Sequence, residues 1–100
     1  GDLIKVELIL KKSKINSMKY ETESCVLCEA SASLLSKKIK NLPLKTVKEE
    51  LNKIKNISLK DLEYIFPKKF KEFKYLINKD NANRLNCIYL PIDAVLKALK

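Results

Sequence analysis

The sequence predicts a single α+β domain in which two strands come first and helices follow. Residues 3–11 alternate apolar and polar side chains, and helical periodicity dominates the chain after Cys25. The 100 residues are enough for one hydrophobic core but too few for two. The chain has only one Gly and three Pro, which argues against a loop-rich or disordered protein.

The two predicted strands form an antiparallel hairpin. The first spans residues 3–11, and the second spans residues 15–22 with Met18 and Tyr20 as its candidate core residues. The apolar face of the first strand consists of Ile4, Val6, Leu8 and Leu10. Because the connection between the strands is short and polar, we expect them to pair directly. A hairpin by itself is only marginally stable in water, so this one must pack against the helices.

The first two helices are predicted on either side of Pro43. One spans residues 29–41, and the small side chains at positions 30–33 allow a neighbouring element to approach its backbone closely. Thr46 and Glu49 predict a capping box at the start of the next helix. The apolar face of that helix consists of Val47, Leu51 and Ile54.

Shorter helical patterns complete the predicted fold, giving about four to five helices in all. Ser58 and Asp61 predict the start of a helical turn that Pro67 ends, and residues 79–83 predict a polar loop. A helix of about ten residues is marked by Phe70, Phe73 and Ile77. Pro91 suits the first turn of a final helix. That helix carries Ile92, Val95, Leu96 and Leu99.

The net charge of +9 does not by itself predict nucleic-acid binding. Twenty of the 21 basic residues are Lys, spread along the chain among acidic residues, whereas direct base readout favours Arg. We therefore expect no nucleic-acid partner, although such a surface suits an acidic protein. No apolar run approaches the roughly 18 residues of a membrane span, so no membrane partner is expected either.

The cysteines are the candidate chemical groups. There are three, Cys25, Cys28 and Cys87, and no His, so one chain cannot complete a four-ligand zinc site of Cys and His. An odd count without a secretory signal predicts a reducing compartment and a cytoplasmic protein. The C-x-x-C pair has two interpretations: a reactive thiol at a helix start, or two small buried side chains. A thioredoxin-like redox site is disfavoured, since no parallel βαβ order surrounds the pair.

Cys25 and Cys87 each lie where a helix is predicted to begin, so both are candidates to hold one metal ion. Helix N-termini favour the thiolate over the thiol. Asp2 could be a third ligand, or simply a terminal carboxylate. Arg84, the single Arg of the chain, could steady a thiolate or be an ordinary surface cation. Cys28 is interpreted first as a small buried side chain.

Three stretches resemble motifs of the NifU/IscU family of iron–sulfur cluster assembly proteins. Gly1-Asp2 before the alternating strand is similar to the segment C-G-D that contains the family's first cysteine. Residues 25–35, C-V-L-C-E-A-S-A-S-L-L, resemble its second motif, and residues 84–91, R-L-N-C-I-Y-L-P, resemble its third. The resemblance covers essentially the whole chain in order, and it implies a NifU-like α+β fold of the kind also found in SufE.

Within that family the sequence is most similar to the SufU type. Cys25 and Cys87 lie 62 positions apart, as the insertion of SufU proteins requires, and Arg84 also fits the SufU pattern. IscU proteins carry a His where this chain has Asn86. They also carry an L-P-P-V-K segment for an Hsp70-type chaperone, where this chain reads N-K-D-N-A-N at residues 78–83. No dedicated chaperone of that type is therefore implied.

The resemblance also implies a function and a set of site residues. Asp2, Cys25 and Cys87 match three of the family's four ligands, which hold zinc or a [2Fe–2S] cluster. Cys87 would accept sulfur from a cysteine desulfurase, with Arg84 in support, before delivery to apo iron–sulfur proteins. Any enzymatic role would be sulfurtransferase-like at most.

The resemblance has one more implication, and the residues leave a second function open. The family's first cysteine and first strand would precede Gly1, so the single domain 1–100 is expected to lack its natural N-terminal segment. The alternative function is that of a small basic protein-binding module whose cysteines are merely structural and buried.

Overall fold

The computed structural model describes residues 3–23, 25–56 and 66–99, and it confirms the predicted α+β class. Within these ranges a two-stranded antiparallel sheet is followed by three α-helices and two 3₁₀ helices. The elements are β1 (Leu3–Lys11), β2 (Lys14–Glu23), α1 (Val26–Lys38), α2 (Leu44–Lys55), the first 3₁₀ helix (Lys68–Tyr75), the second 3₁₀ helix (Lys79–Arg84) and α3 (Leu85–Ala98).

The hairpin has the tight turn that the short polar connection predicts. Lys12 and Ser13 form a two-residue turn with φ of 53° and 64°, the left-handed pair of a type I′ hairpin turn. The register shifts between Ile9 and Leu10, where β2 contains one extra residue. Met18 is buried as predicted, whereas Leu10 of the predicted apolar face is 48% exposed.

Helix α1 begins three residues earlier than predicted, and α2 begins two residues before the predicted capping box. The residue before α2 is Pro43, with φ −61° and ψ 145°, so Thr46 and Glu49 lie inside the helix and the capping-box prediction is wrong. Proline suits this position because the first N–H groups of a helix have no partner within the helix. The missing N–H of proline therefore costs no helical hydrogen bond there. The predicted apolar face of α2 is fully buried.

The last third of the chain differs most from the prediction. The expected ten-residue helix is the first 3₁₀ helix, kinked at Phe70 (φ −114°, ψ 17°), and the expected polar loop is the second 3₁₀ helix. The second begins where the Asn78 side chain accepts a hydrogen bond from the Asn81 N–H at 3.2 Å. The turn predicted at residues 58–65 lies outside the described residues.

Helix α3 also begins earlier than predicted, at Leu85. Pro91 therefore lies in the middle of α3, and its predicted place in the first turn is wrong. A proline has no N–H, so Pro91 cannot make the usual helical hydrogen bond to the carbonyl of Cys87, four residues earlier. The consequence for the site is that Cys87 occupies the first turn of α3.

One apolar cluster joins the helices to one face of the hairpin. Its largest fully buried side chains are Phe70, Phe73, Ile15, Leu35, Ile39, Leu51, Ile54, Ile77, Ile88 and Ile92. Backbone hydrogen bonds also tie the turn after α1 to β2, since the Ile15 N–H donates to Leu42 and the Asn41 N–H donates to Ile15. Among the described residues, no helix has the length and apolar character to cross a bilayer.

Candidate functional site

Cys25 lies at the junction between the hairpin and the helices. It is the N-cap residue of α1, with extended backbone angles of φ −71° and ψ 165°. Its carbonyl oxygen accepts hydrogen bonds from the N–H groups of Cys28 at 3.1 Å and Glu29 at 3.2 Å, which close the first turn. Its half-buried side chain faces the start of the same helix, where backbone N–H groups lack helical partners.

Cys87 reaches the same place from the other end of the chain. It lies in the first turn of α3, three residues after Arg84, and its side chain is half-buried. The Cys87 thiol is within hydrogen-bonding reach of the Cys25 sulfur, and the Arg84 guanidinium hydrogen-bonds both sulfurs. The structure thus brings together Cys25, Arg84 and Cys87, although 62 positions separate the two cysteines.

These neighbours change the protonation of the site. Hydrogen bonding lowers the pKa of Cys25 to about 7, chiefly through the backbone N–H of Cys28, with smaller contributions from Arg84 and Cys87. Burial opposes this change, because removal from water disfavours the charged thiolate. The same hydrogen bonds, to Cys25 first and to Cys87 second, raise the pKa of Arg84 above its ordinary value. Near neutral pH, Cys25 is therefore substantially a thiolate, the form that binds metal ions and attacks electrophiles.

We expect alkylation of Cys25 to follow this lowered pKa. In chelator-treated protein, the rate of its reaction with iodoacetamide should be half-maximal near pH 7. At that pH the thiolate fraction exceeds that of an ordinary cysteine by more than about tenfold. The rate falls below pH 7, where the thiolate takes up a proton, and levels off above it. Mass spectrometry of the Cys25 peptide over a pH series measures this profile.

Arg84→Gln provides the comparison for that experiment. Because it removes one of the hydrogen bonds that lower the pKa of Cys25, the midpoint should move to higher pH. A midpoint near the ordinary thiol value in the parent protein, unchanged in Arg84→Gln, would contradict the arrangement of these three side chains.

A buried hydrogen bond holds α1 against α3 behind the site. The Ser31 hydroxyl donates to the carbonyl oxygen of Ile88 at 2.6 Å, and both residues are fully buried. Ala32 beside it is fully buried as well. The small side chains of α1 therefore do what the sequence predicted, since they allow the two helices that carry Cys25 and Cys87 to approach closely.

Ser31→Ala should lower the free energy of unfolding by about 1–2 kcal/mol, because it removes the buried donor that pairs with the Ile88 carbonyl. Ser36→Ala on the same helix is the matched control. The Ser36 hydroxyl donates at 2.8 Å to the carbonyl of Ser33, one turn earlier, and is only partly buried, so its loss should cost less than about 0.5 kcal/mol. Urea denaturation of both variants measures the difference, and equal losses would show that the Ser31 bond adds no special stability.

The remaining predicted residues lie as follows. Asp2 lies outside the described residues, but Leu3, which follows it, pairs with Glu23, two residues before Cys25. The Cys28 side chain is fully buried, as predicted, and none of the three cysteines forms a disulfide. Within residues 3–23, 25–56 and 66–99, no three His, Cys, Asp or Glu side chains form a group that could hold a metal ion. The described part of the site therefore contains two neighbouring thiols, those of Cys25 and Cys87.

Two features of this site are not predicted by the sequence. One is the Ser31 hydrogen bond, which only the packing of α1 on α3 creates. The other is Val26, an apolar side chain that follows Cys25 and is 79% exposed.

Comparison with known proteins supports the fold. No protein-family model and no curated protein sequence matches the chain. Among solved structures, the chain is similar to the crystal structure of a nitrogen-fixing NifU-like protein (N-terminal) from Brucella abortus, with a TM-score of 0.73 and 20% sequence identity. The match covers 97% of this chain and 67% of the other. At this identity the similarity establishes a NifU-like fold, as the sequence motifs predicted.

Proposed function

We propose that this protein takes part in iron–sulfur cluster assembly, accepting sulfur from a cysteine desulfurase through Cys87 and holding metal or a cluster between Cys25 and Cys87. The meeting of these two cysteines at the first turns of two helices, with Arg84 hydrogen-bonded to both, carries the proposal. The NifU-like fold supports it, because the two described motifs that suggested the family, residues 25–35 and 84–91, lie on the helices that form this site.

The sulfur-transfer step uses thiol–disulfide chemistry. The Cys87 thiolate attacks the outer sulfur of a persulfide on the desulfurase cysteine; the S–S bond of the donor breaks as a new S–S bond forms on Cys87. The desulfurase cysteine leaves as a thiolate, so charge and atoms balance. Arg84 stabilises negative charge on either sulfur of this chain, since its guanidinium is permanently charged and donates to both.

Cys25, Cys87 and Asp2 are the residues that we expect to bind metal. Thiolate ligands suit both zinc and iron–sulfur clusters, and the lowered pKa of Cys25 supports ligation at neutral pH. A bound zinc would fix the thiolates, whereas a [2Fe–2S] cluster would be the cargo passed to apo iron–sulfur proteins. The 62-residue spacing and Asn86 favour the zinc-holding SufU branch.

Metal content tests this assignment. We expect Cys25→Ser and Cys87→Ser to lower bound zinc, or bound iron after anaerobic reconstitution with iron and sulfide, by at least about tenfold. Cys28→Ala is the matched control, because Cys28 is fully buried in α1 and should leave metal content near that of the parent. Elemental analysis measures both metals: zinc in the purified protein indicates the SufU branch, and iron with brown colour indicates the scaffold. Equal losses in all three variants would refute a two-cysteine centre.

The alternative, a basic binding module with structural cysteines, fits the site less well. It requires buried cysteines, and only Cys28 is fully buried, whereas Cys25 and Cys87 are half-buried beside an arginine. A pair of half-buried thiols beside an arginine, one of them with a pKa of about 7, is typical of a reactive or metal-binding centre.

A further inference from the structure

A strongly basic surface lies where the C-terminal end of α1 meets the first 3₁₀ helix. Two segments that are 28 residues apart in the chain form a shallow groove of about 550 Å³, lined by lysines and Glu72. The lysine surface consists of Lys37, Lys38, Lys40, Lys68, Lys69 and Lys71. The convergence is a tertiary feature, because neither segment alone carries more than three of these cations.

The fold itself explains only part of this surface. Lys37 and Lys38 lie in the last turn of α1, where their positive charges interact favourably with the negative end of the helix dipole. Lys38 also pairs with Glu72 at 3.0 Å, and this contact lowers the pKa of the Glu72 carboxyl. The helix dipole and the ion pair therefore account for Lys37 and Lys38, and Glu72, the one acidic residue that lines the groove, is already paired.

The other four lysines make no comparable close contact among the described residues, although the charge of Lys71 also attracts Glu72 and helps to lower the pKa of its carboxyl. Lys40, Lys68, Lys69 and Lys71 are exposed, and none makes an ion pair with another described residue. Like charges within a Debye length of roughly 8–10 Å repel one another, so their clustering opposes folding rather than favouring it. On the hairpin, in contrast, Lys5 stands opposite Glu21 and Lys19 opposite Glu7, so lysines there face carboxylates. A cluster that costs stability and has few acidic partners within the described part of the chain is complementary to an external anion.

We propose that the lysine surface docks an acidic segment of a partner protein. All six cations of the surface are lysines, whose compact, hydrated charges suit solvent-exposed pairing with carboxylates. The chain's single arginine is engaged at the thiols, and no aromatic side chain lines the groove for bases to stack on, which disfavours nucleic acid. No apolar residue lines the groove to insert into a membrane surface.

The lysine surface lies far from the two thiols. Helix α1 has 13 residues, so its two ends lie about 20 Å apart. Cys25 is at one end and the lysine surface is at the other. An acidic segment bound at the lysines would leave Cys25 and Cys87 accessible, and the docking does not depend on the chemistry of the thiols.

The test compares two variants of equal net charge. The surface variant carries Gln in place of Lys40, Lys68, Lys69 and Lys71. The control variant carries Gln in place of four exposed lysines elsewhere, Lys11, Lys48, Lys79 and Lys97. Fluorescence anisotropy measures binding to a labelled poly-glutamate peptide of about 20 residues, at low and at physiological salt. Circular dichroism verifies that both variants are folded.

We expect the surface variant to bind the peptide at least about tenfold more weakly than the parent, and the control variant to stay within about twofold. Equal weakening in both variants would mean that net charge alone attracts the peptide, and this would overturn the proposal. So would absence of binding to the parent, or tighter, lysine-dependent binding to single-stranded DNA of the same length or to phosphatidylserine vesicles. Because the peptide carries no sulfur, these outcomes are independent of whether Cys87 accepts sulfur.

Discussion

Cys87→Ser should accept less than about one hundredth of the sulfur that the parent protein accepts from a cysteine desulfurase. The substitution replaces the attacking sulfur with a hydroxyl, which stays protonated at neutral pH and forms no persulfide. The measurement is transfer of label from ³⁵S-cysteine to the chain, followed by gel separation without reductant and by mass spectrometry of the peptide that contains residue 87.

Cys28→Ala is the control for that experiment, because it also removes one of the three thiols but at a fully buried position. It should accept sulfur at a rate close to that of the parent. Cys25→Ser separates the two thiols of the site, since it should weaken transfer without moving the label from Cys87. If Cys87→Ser accepts as much sulfur as the parent, the assignment of Cys87 as acceptor is wrong.

Phe73→Ala should lower the free energy of unfolding by about 3–5 kcal/mol. Phe73 is fully buried, and its ring packs against that of Phe70 with centroids 6.2 Å apart. Truncation removes this contact and leaves a cavity between the first 3₁₀ helix and the rest of the core. Such a loss is a large share of the 5–15 kcal/mol typical of a domain, so the variant should be close to unfolding at 37 °C.

Tyr75→Ala on the same 3₁₀ helix is the matched control for Phe73→Ala. Its ring is 70% exposed and its described ring contact is with Lys74, at 5.4 Å, so its loss should cost less than about 1 kcal/mol. Urea denaturation monitored by circular dichroism measures both variants. A small effect at Phe73 would mean that the first 3₁₀ helix contributes little to the core.

The sequence predicts the hairpin well and the helix limits less well, for a physical reason. Alternation with period two and a short polar connection are local features, and β1 and β2 lie within one or two residues of the predicted limits. Helix starts depend on which residue the surrounding structure holds in an extended conformation. Pro43 takes that role before α2 in place of Thr46. Helix α3 instead follows directly on the second 3₁₀ helix, with Arg84 at φ −122° and ψ 12°, which leaves Pro91 inside the helix.

Some features of the candidate site can likewise be predicted from the sequence, and others depend on the tertiary structure. The sequence by itself determined that this is an α+β chain with Cys25 and Cys87 each near a helix start, and that Cys28 is a buried side chain. Thiol chemistry and helix periodicity follow from residue type and local spacing, so no tertiary contact was needed to find them.

Only the tertiary structure decided that the two thiols meet. Packing of α1 on α3, with Ser31 hydrogen-bonded to Ile88, places Cys25 within reach of Arg84 and Cys87. The pKa of Cys25 is lowered chiefly by the local backbone N–H of Cys28, and these two side chains lower it further. A second contact, that of α1 with the first 3₁₀ helix, brings the lysines of two distant segments together into one surface. Distances across the fold depend on how the core closes around all of its side chains together, and no local pattern contains that information.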